Sequence, residues 1–182
     1  CDVALIGFGE AASTFARAGR WEKAACAFDI LPAQNAVMAS LAVEQPGSAE
    51  LALADAPLAI SLVTADQALA AAQECARLLT PGAIWCDMNS VAPETKRAAG
   101  VAVEAAGGRY VDVAVLAPVD PAGLGVPLLL AGAAALEAQQ RLAELGFSNI
   151  RIVGDEVGKA SAIKMIRSVM VKGIEALTAE MM

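Results

Sequence analysis

Two segments of the chain carry residue types whose spacing could do chemistry. The first is Gly7-Phe8-Gly9-Glu10-Ala11-Ala12, a G-x-G-x-x-A run between the apolar Val3 to Ile6 and a helical stretch. In such a run the first glycine allows a tight turn and the second leaves space for a pyrophosphate beside the backbone. A small residue in the third place lets helix and strand pack closely. Helix N-terminal amides and the positive end of the dipole then hold the phosphates. Asp29, 22 residues after Gly7, ends the next apolar run. A carboxylate there can accept ribose hydroxyls and repels a 2′-phosphate. No lysine or arginine follows within several residues, so the pattern favours NAD, with NADP the alternative. A plain glycine turn beside a surface aspartate is the competing reading.

The second segment is Ser161-Ala162-Ile163-Lys164-Met165-Ile166-Arg167-Ser168. At helical spacing Ser161 (i−3) and Ser168 (i+4) share the face of Lys164, and Lys172 follows at i+8. A lysine partly desolvated in a cleft, beside a cationic nicotinamide, has its pKa drawn toward general-base range. The same spacing suits a solvated helix face, with Lys159, Arg167 and Lys172 nearby. A third segment, Asp87-Met88-Asn89-Ser90-Val91-Ala92-Pro93, runs from a strand end to a helix start, the edge where open α/β sheets bind ligands. Asn89 and Ser90 could bind a substrate carboxylate or hydroxyl there, or cap the helix that Pro93 opens. Trp21, Trp85 and Tyr110 read as core.

The elements that must position these residues alternate between strand and helix. Strands are expected at Val3–Ile6, Ala25–Phe28, Leu58–Val63, Ile84–Cys86, Tyr110–Leu116, Leu128–Ala131 and Asn149–Val153. Helices are expected at Ala11–Ala18, after Ser48 as N-cap, at Asp66–Leu79, Pro93–Ala106 and Ala133–Leu145. Such alternation requires crossover connections and a mostly parallel sheet covered on both faces, a doubly wound α/β domain over residues 1–154. From Gly158 the chain reads as one long helix, with Ile163, Ile166, Met170, Ile174 and Leu177 in an apolar stripe. That stripe needs a cover, and the expectation is that residues 155–182 begin an interdomain helix leading to a further domain outside this sequence.

Composition excludes several function classes. The 182 residues carry 13 basic and 20 acidic side chains, a net charge of −7, which argues against nucleic acid as a partner. Without histidine, a His-based triad and an imidazole metal site are impossible, and no metal is expected. Cys1, Cys26, Cys75 and Cys86 show no C-x-x-C spacing, so reduced, buried thiols in a cytoplasmic protein are the expectation. Mean hydropathy is high at +0.56. Even so, the uncharged stretch Pro121 to Leu136 contains prolines and glycines and falls short of the ~18–20 apolar residues of a spanning helix, so no membrane partner is expected.

Taken in order, these segments resemble the β-hydroxyacid dehydrogenase superfamily, which contains 3-hydroxyisobutyrate and 6-phosphogluconate dehydrogenases. The likeness is strongest to a 6-phosphogluconate-dehydrogenase-like subgroup in which an A-S-x-x-K-M stretch opens the interdomain helix. Gly7 to Ala12 looks like the family's dinucleotide loop, and Leu62-Val63-Thr64 with Gln67 like the segment that touches the cofactor after a strand. Asp87 to Pro93 is similar to the substrate motif D-x-S-T-x-x-P, with Asn89 and Ser90 in the Ser and Thr places. Tyr110-Val111-Asp112 through Gly132 looks like the D-A-P-V-S-G-G segment and the strand after it.

The resemblance implies a Rossmann sheet, NAD(P) held by Gly7, Phe8, Gly9, Glu10, Ala11, Ala12, Asp29, Leu62, Val63, Thr64, Gln67 and Ser90, and a hydroxy acid held by Asn89, Ser90 and Lys164. Lys164 falls in the place of the catalytic lysine and Ser168 in that of an assisting asparagine. Leu116-Ala117-Pro118 replaces Ser-Gly-Gly, and Lys164 follows Gly158 by six residues where the family has four. The implied activity is NAD(P)-dependent oxidation of a 3-hydroxy acid or reduction of the matching carbonyl, in a homodimer joined through the long helix and an all-helical second domain. A 6-phosphogluconate-type oxidative decarboxylase, an imine reductase and a non-catalytic dinucleotide-binding module are the rivals.

Overall fold

A computed structural model describes residues 1–181. In chain order the main elements are β1 (Val3–Ile6), α1 (Glu10–Gly19), β2 (Ala25–Phe28), α2 (Gln34–Ser40), α3 (Ala49–Leu53), β3 (Leu58–Ser61) and α4 (Ala68–Ala76). There follow β4 (Ile84–Asp87), α5 (Pro93–Ala105), β5 (Arg109–Val115), α6 (Val119–Ala122), β6 (Leu128–Ala131), α7 (Ala135–Glu144), β7 (Ile150–Gly154) and α8 (Lys159–Glu180). The seven strands form one sheet in the order β2-β1-β3-β4-β5-β6-β7, parallel except for the antiparallel β5–β6 pair. The doubly wound, mostly parallel architecture is as expected, with boundaries moved by a few residues.

Both faces of the sheet are buried, so its strands read as continuous apolar runs. One face holds Leu5, Phe15, Trp21, Ile60, Val113 and Phe147, with the rings of Phe15 and Phe147 edge to face at 5.0 Å. The other holds Ile6, Leu53, Trp85, Val103 and Tyr110. Strand order reverses between β1 and β3, so the loops leaving these strands part to opposite faces and open a crevice at their carboxyl ends.

Helix ends follow local chemistry. Ser48 caps α3, its hydroxyl accepting the amide of Leu51 at 3.2 Å. Pro93 opens α5, where a missing N–H loses nothing. Helix α2 was not expected: the stretch after Pro32 has no side-chain cap, and the burial of Met38 against the core holds it. The short α6 also lacked a sequence signal.

The expectation of four reduced thiols needs correction. Cys1 and Cys26 form a disulfide. The parallel pairing of β1 with β2 brings Cys1, two residues before β1, alongside β2, with the two Cα atoms 6.0 Å apart, within the reach of such a bridge. Cys75 and Cys86 are free and buried, and burial raises their thiol pKa values to about 11 and about 12.

In α8 only Ala160 and Ser161 are buried. Ile166, Met170, Ile174 and Leu177 of the apolar stripe are 61–64% exposed among the described residues. No helix among them is long and apolar enough to cross a membrane.

Candidate active site

Glycine at position 7 is a backbone requirement. Its φ is +87°, and a Cβ there would stand 2.5 Å from the carbonyl oxygen of Leu62. Gly9 has an ordinary negative φ, and a Cβ there would meet nothing within 4 Å. The space beside Gly9 belongs to a cleft of about 430 Å³ whose walls include Gly7, Asp29, Leu62, Val63, Thr64 and Gln67. Ser13 is the first residue of α1 to reach a carbonyl, that of Gly9, which leaves the amides of Glu10, Ala11 and Ala12 outside the helix's own bonding. Phe8 and Ala12 turn their side chains into the core, Ala11 packs partly against it, and Glu10 is exposed.

Asp29 directly follows β2, half-buried, and is already engaged: Oδ2 accepts the amide of Phe8 at 2.6 Å and Oδ1 the amide of Leu31 at 2.8 Å. It thereby ties the glycine loop to the next strand. Each oxygen retains one lone pair for a further donor. No lysine or arginine lines the cleft; its charged wall residues are Asp29 and Glu74.

Where β4 ends beside the middle of β5, the structure assembles a buried polar cluster. Asp87 and Asp112 are register partners on adjacent parallel strands, so their carboxylates stand side by side. Lys96 enters from α5 with no exposed surface; its Nζ donates to Asp87 O (2.6 Å) and Oδ1 (2.9 Å) and lies 3.5 Å from Asp112 Oδ1. Tyr110 donates its hydroxyl to Asp87 Oδ2 at 2.6 Å. Burial, then the negative Asp87, drives the Tyr110 pKa well above its ordinary value, so it stays a phenol. Asp112 accepts the amides of Gly158 (3.1 Å) and Ser161 (3.0 Å) and the Ser161 hydroxyl (2.5 Å), capping the start of α8.

One turn beyond Ser161, Lys164 is half-buried and donates from Nζ to Ser90 Oγ at 2.6 Å. Its pKa is lowered first by burial and then by the charge of Lys96, with Asp112 opposing. Asn89 is held by the protein itself. It is buried, with its Nδ2 donating to Ser61 Oγ (2.9 Å) and Asp87 Oδ1 (2.8 Å) and its Oδ1 accepting the Val63 amide (2.8 Å). Both amide donors are engaged inside the protein, and the side-chain carbonyl braces the cleft wall at Val63. Ser168 lies exposed and has no side-chain hydrogen bond among the described residues. Arg167, one turn from Lys164, donates to Leu116 O at 2.7 Å.

The structure therefore brings Gly7, Gly9, Asp29, Leu62, Val63, Thr64 and Gln67 into one cleft and sets Ser90 against Lys164. Asn89 links the two, touching the cleft wall while its neighbour Ser90 holds the lysine. The sequence by itself gives Lys96 no role and Tyr110 only a place in the core. A signal for Lys96 was present: with Pro93, Ala99, Gly100 and Val103 it occupies the buried register of α5, where a charged residue needs a partner.

Fold and site define an α/β domain of the Rossmann type, with a crevice at its strand-order reversal and a lysine at the helix that leaves the sheet. The chain belongs to the β-hydroxyacid dehydrogenase superfamily. It is similar to a conserved hypothetical protein from Sinorhizobium meliloti 1021, with 41% identity and a TM-score of 0.89 over 98% of this chain and 62% of that one. It is also similar to the conserved protein MTH1747, of unknown function and structurally similar to 3-hydroxyacid dehydrogenases, with 34% identity and a TM-score of 0.86 over 98% of this chain and 67% of that one. The chain thus spans 62–67% of the length of these relatives. The Mycobacterium tuberculosis 3-hydroxyisobutyrate dehydrogenase solved with L-serine shares the fold at 19% identity and a TM-score of 0.83, over 93% of this chain and 59% of that one. Imine reductases share it as well, among them one from Myxococcus stipitatus in complex with NAD+. No protein-family model and no curated protein matches the sequence.

Proposed function

We propose that the whole protein is a nicotinamide-dependent oxidoreductase that oxidises a 3-hydroxy acid or reduces the matching carbonyl compound, with Lys164 as its proton-transfer group. The observation that carries this reading is the half-buried Lys164, its Nζ 2.6 Å from Ser90 Oγ, joined through Asn89 to the wall of the glycine-loop cleft. Residues of the cleft fit a dinucleotide: the space beside Gly9 and the free amides at the start of α1 suit its phosphates, and the remaining lone pairs of Asp29 suit a ribose. The acidic, lysine- and arginine-free cleft favours NAD over NADP. When bound, the dinucleotide supplies the two-electron redox chemistry.

Lys164 takes the substrate hydroxyl proton in oxidation and returns it in reduction. Its depressed pKa places more of it in the unprotonated form that such a base needs. Ser90, bonded to the lysine, orients its amine and donates to substrate oxygen. The Phe8 amide, held by Asp29, keeps the glycine loop in the shape that receives the cofactor.

The test is Lys164→Ala in the whole protein, assayed for NAD-dependent oxidation of a panel of 3-hydroxy acids that includes 3-hydroxyisobutyrate and L-serine. Turnover should fall by roughly 10²–10⁴-fold while NAD affinity stays near that of the wild type. Unchanged turnover means that the proton is handled elsewhere and the mechanism is wrong. NAD binding with no turnover on any hydroxy acid in the wild type would favour the non-catalytic module.

A further inference from the structure

Lys96 is the fully buried lysine among the described residues, and nothing in the proton transfer described above uses it. Its ammonium sits where four elements cross. Asp87 ends β4, Asp112 belongs to β5, Lys96 itself comes from α5, and Asp112 holds the amides of Gly158 and Ser161 at the start of α8. Neither carboxylate is free to turn away, because Tyr110 holds Asp87 and Ser161 holds Asp112. Lys164 stands one helical turn beyond Ser161.

Two carboxylates against one ammonium leave the cluster with surplus negative charge, and Asp112 holds Ser161, one helical turn before Lys164. We propose that Lys96 is a positioning residue for Lys164: clamped between Asp87 and Asp112, it locks the start of α8 to the sheet and offsets the negative charge beneath the reactive amine. This rests on the reading of Lys164 as the proton-transfer group.

Charged groups on the elements packed near Lys164 include Arg97 of α5, which lies beside Gly158. Asp87 lies at the end of β4, Lys96 on α5 and Asp112 on β5; β6 carries none, and Arg151 of β7 is exposed. On α8 itself Lys159 lies close to Gly154, and Arg167 is turned to the Leu116 carbonyl. Lys96 lowers the Lys164 pKa and Asp112 raises it. Removing the two charges separately must therefore move Lys164 in opposite directions.

The experiment uses the whole protein as wild type, Lys96→Met, Asp112→Asn and Lys164→Ala. The readouts are the pH dependence of kcat/KM for alcohol oxidation and the titration of Lys164 followed by NMR of 13C-labelled lysine side chains. The acid limb that Lys164→Ala abolishes should shift to higher pH in Lys96→Met and to lower pH in Asp112→Asn, and the NMR titration should shift likewise. A purely structural role would lower activity at every pH without moving either. Should Lys96→Met fail to fold, Lys96→Gln, which removes the charge and keeps donors for Asp87, takes its place; Asp112→Asn keeps the side-chain shape and an acceptor for the α8 amides. A limb and a titration that stay in place overturn the proposal and leave Lys164 as the base. A wild-type limb that persists in Lys164→Ala overturns the role of Lys164, and this inference with it.

Discussion

Asp29 holds the glycine loop and, in the proposed function, receives a ribose; one substitution tests both with separate measurements. In Asp29→Ala the Phe8 amide loses a charge-assisted acceptor at 2.6 Å in half-buried surroundings, while the Leu31 amide, which is exposed, is taken over by water. Deleting the acceptor of a charged hydrogen bond costs about 1.5–3 kcal/mol when its donor is left without a partner. The Leu31 bond adds little. For a domain of this size each kcal/mol lowers Tm by ~2–4 °C, so thermal unfolding should move down by roughly 3–12 °C. The same deletion removes the cleft carboxylate that the proposed function assigns to a ribose, and NAD affinity should fall about ten- to hundredfold. NADP affinity, which the carboxylate opposes, should change less. Circular-dichroism melts of the apo protein measure the first effect, and calorimetric titration with NADH and NADPH the second. Asp29→Asn keeps one acceptor and should fall between wild type and alanine. An unchanged melt refutes the structural half of the reasoning. Unchanged NADH affinity refutes the assignment of the cleft to an NAD ribose.

The two glycines of the loop should fail differently. Gly7→Ala places a Cβ against the Leu62 carbonyl at positive φ and should destabilise the fold by about 2 kcal/mol or more, seen as an earlier denaturant midpoint. Gly9→Ala enters open space at a permitted φ, so its stability should stay within about 1 kcal/mol of wild type while dinucleotide affinity drops, as calorimetry would show. Native protein at pH 8 should react slowly with a thiol reagent, because Cys75 and Cys86 are buried with pKa values raised to about 11 and about 12; two thiols should react after denaturation and four after reduction as well. Four reactive thiols without reduction would disprove the Cys1–Cys26 bridge.

Most of the scaffold was legible in the sequence because its signals are local. A glycine run between an apolar strand and a helix, Pro93 at a helix start, Ser48 as a cap and the apolar strand runs each state a preference that neighbouring residues do not reverse. The same locality placed Lys164 and Ser161 on one helix face and marked Asp29 as the end of the second strand. The bare stripe of α8 is likewise a matter of spacing along one helix.

Partners distant in the chain were decided only by the tertiary structure. Asp87 meets Asp112 because parallel pairing puts β4 and β5 in that register, and Lys96 reaches both because α5 packs its buried face over them. Asn89 and Ser90 are adjacent residues of similar chemistry, yet the turn after β4 sends one inward to Ser61 and Val63 and the other out to Lys164. Cys1 and Cys26 lack any spacing motif and are joined because β1 and β2 are neighbours. Periodicity determines which face a side chain lies on, whereas its partner depends on strand register and helix docking, which the whole core sets.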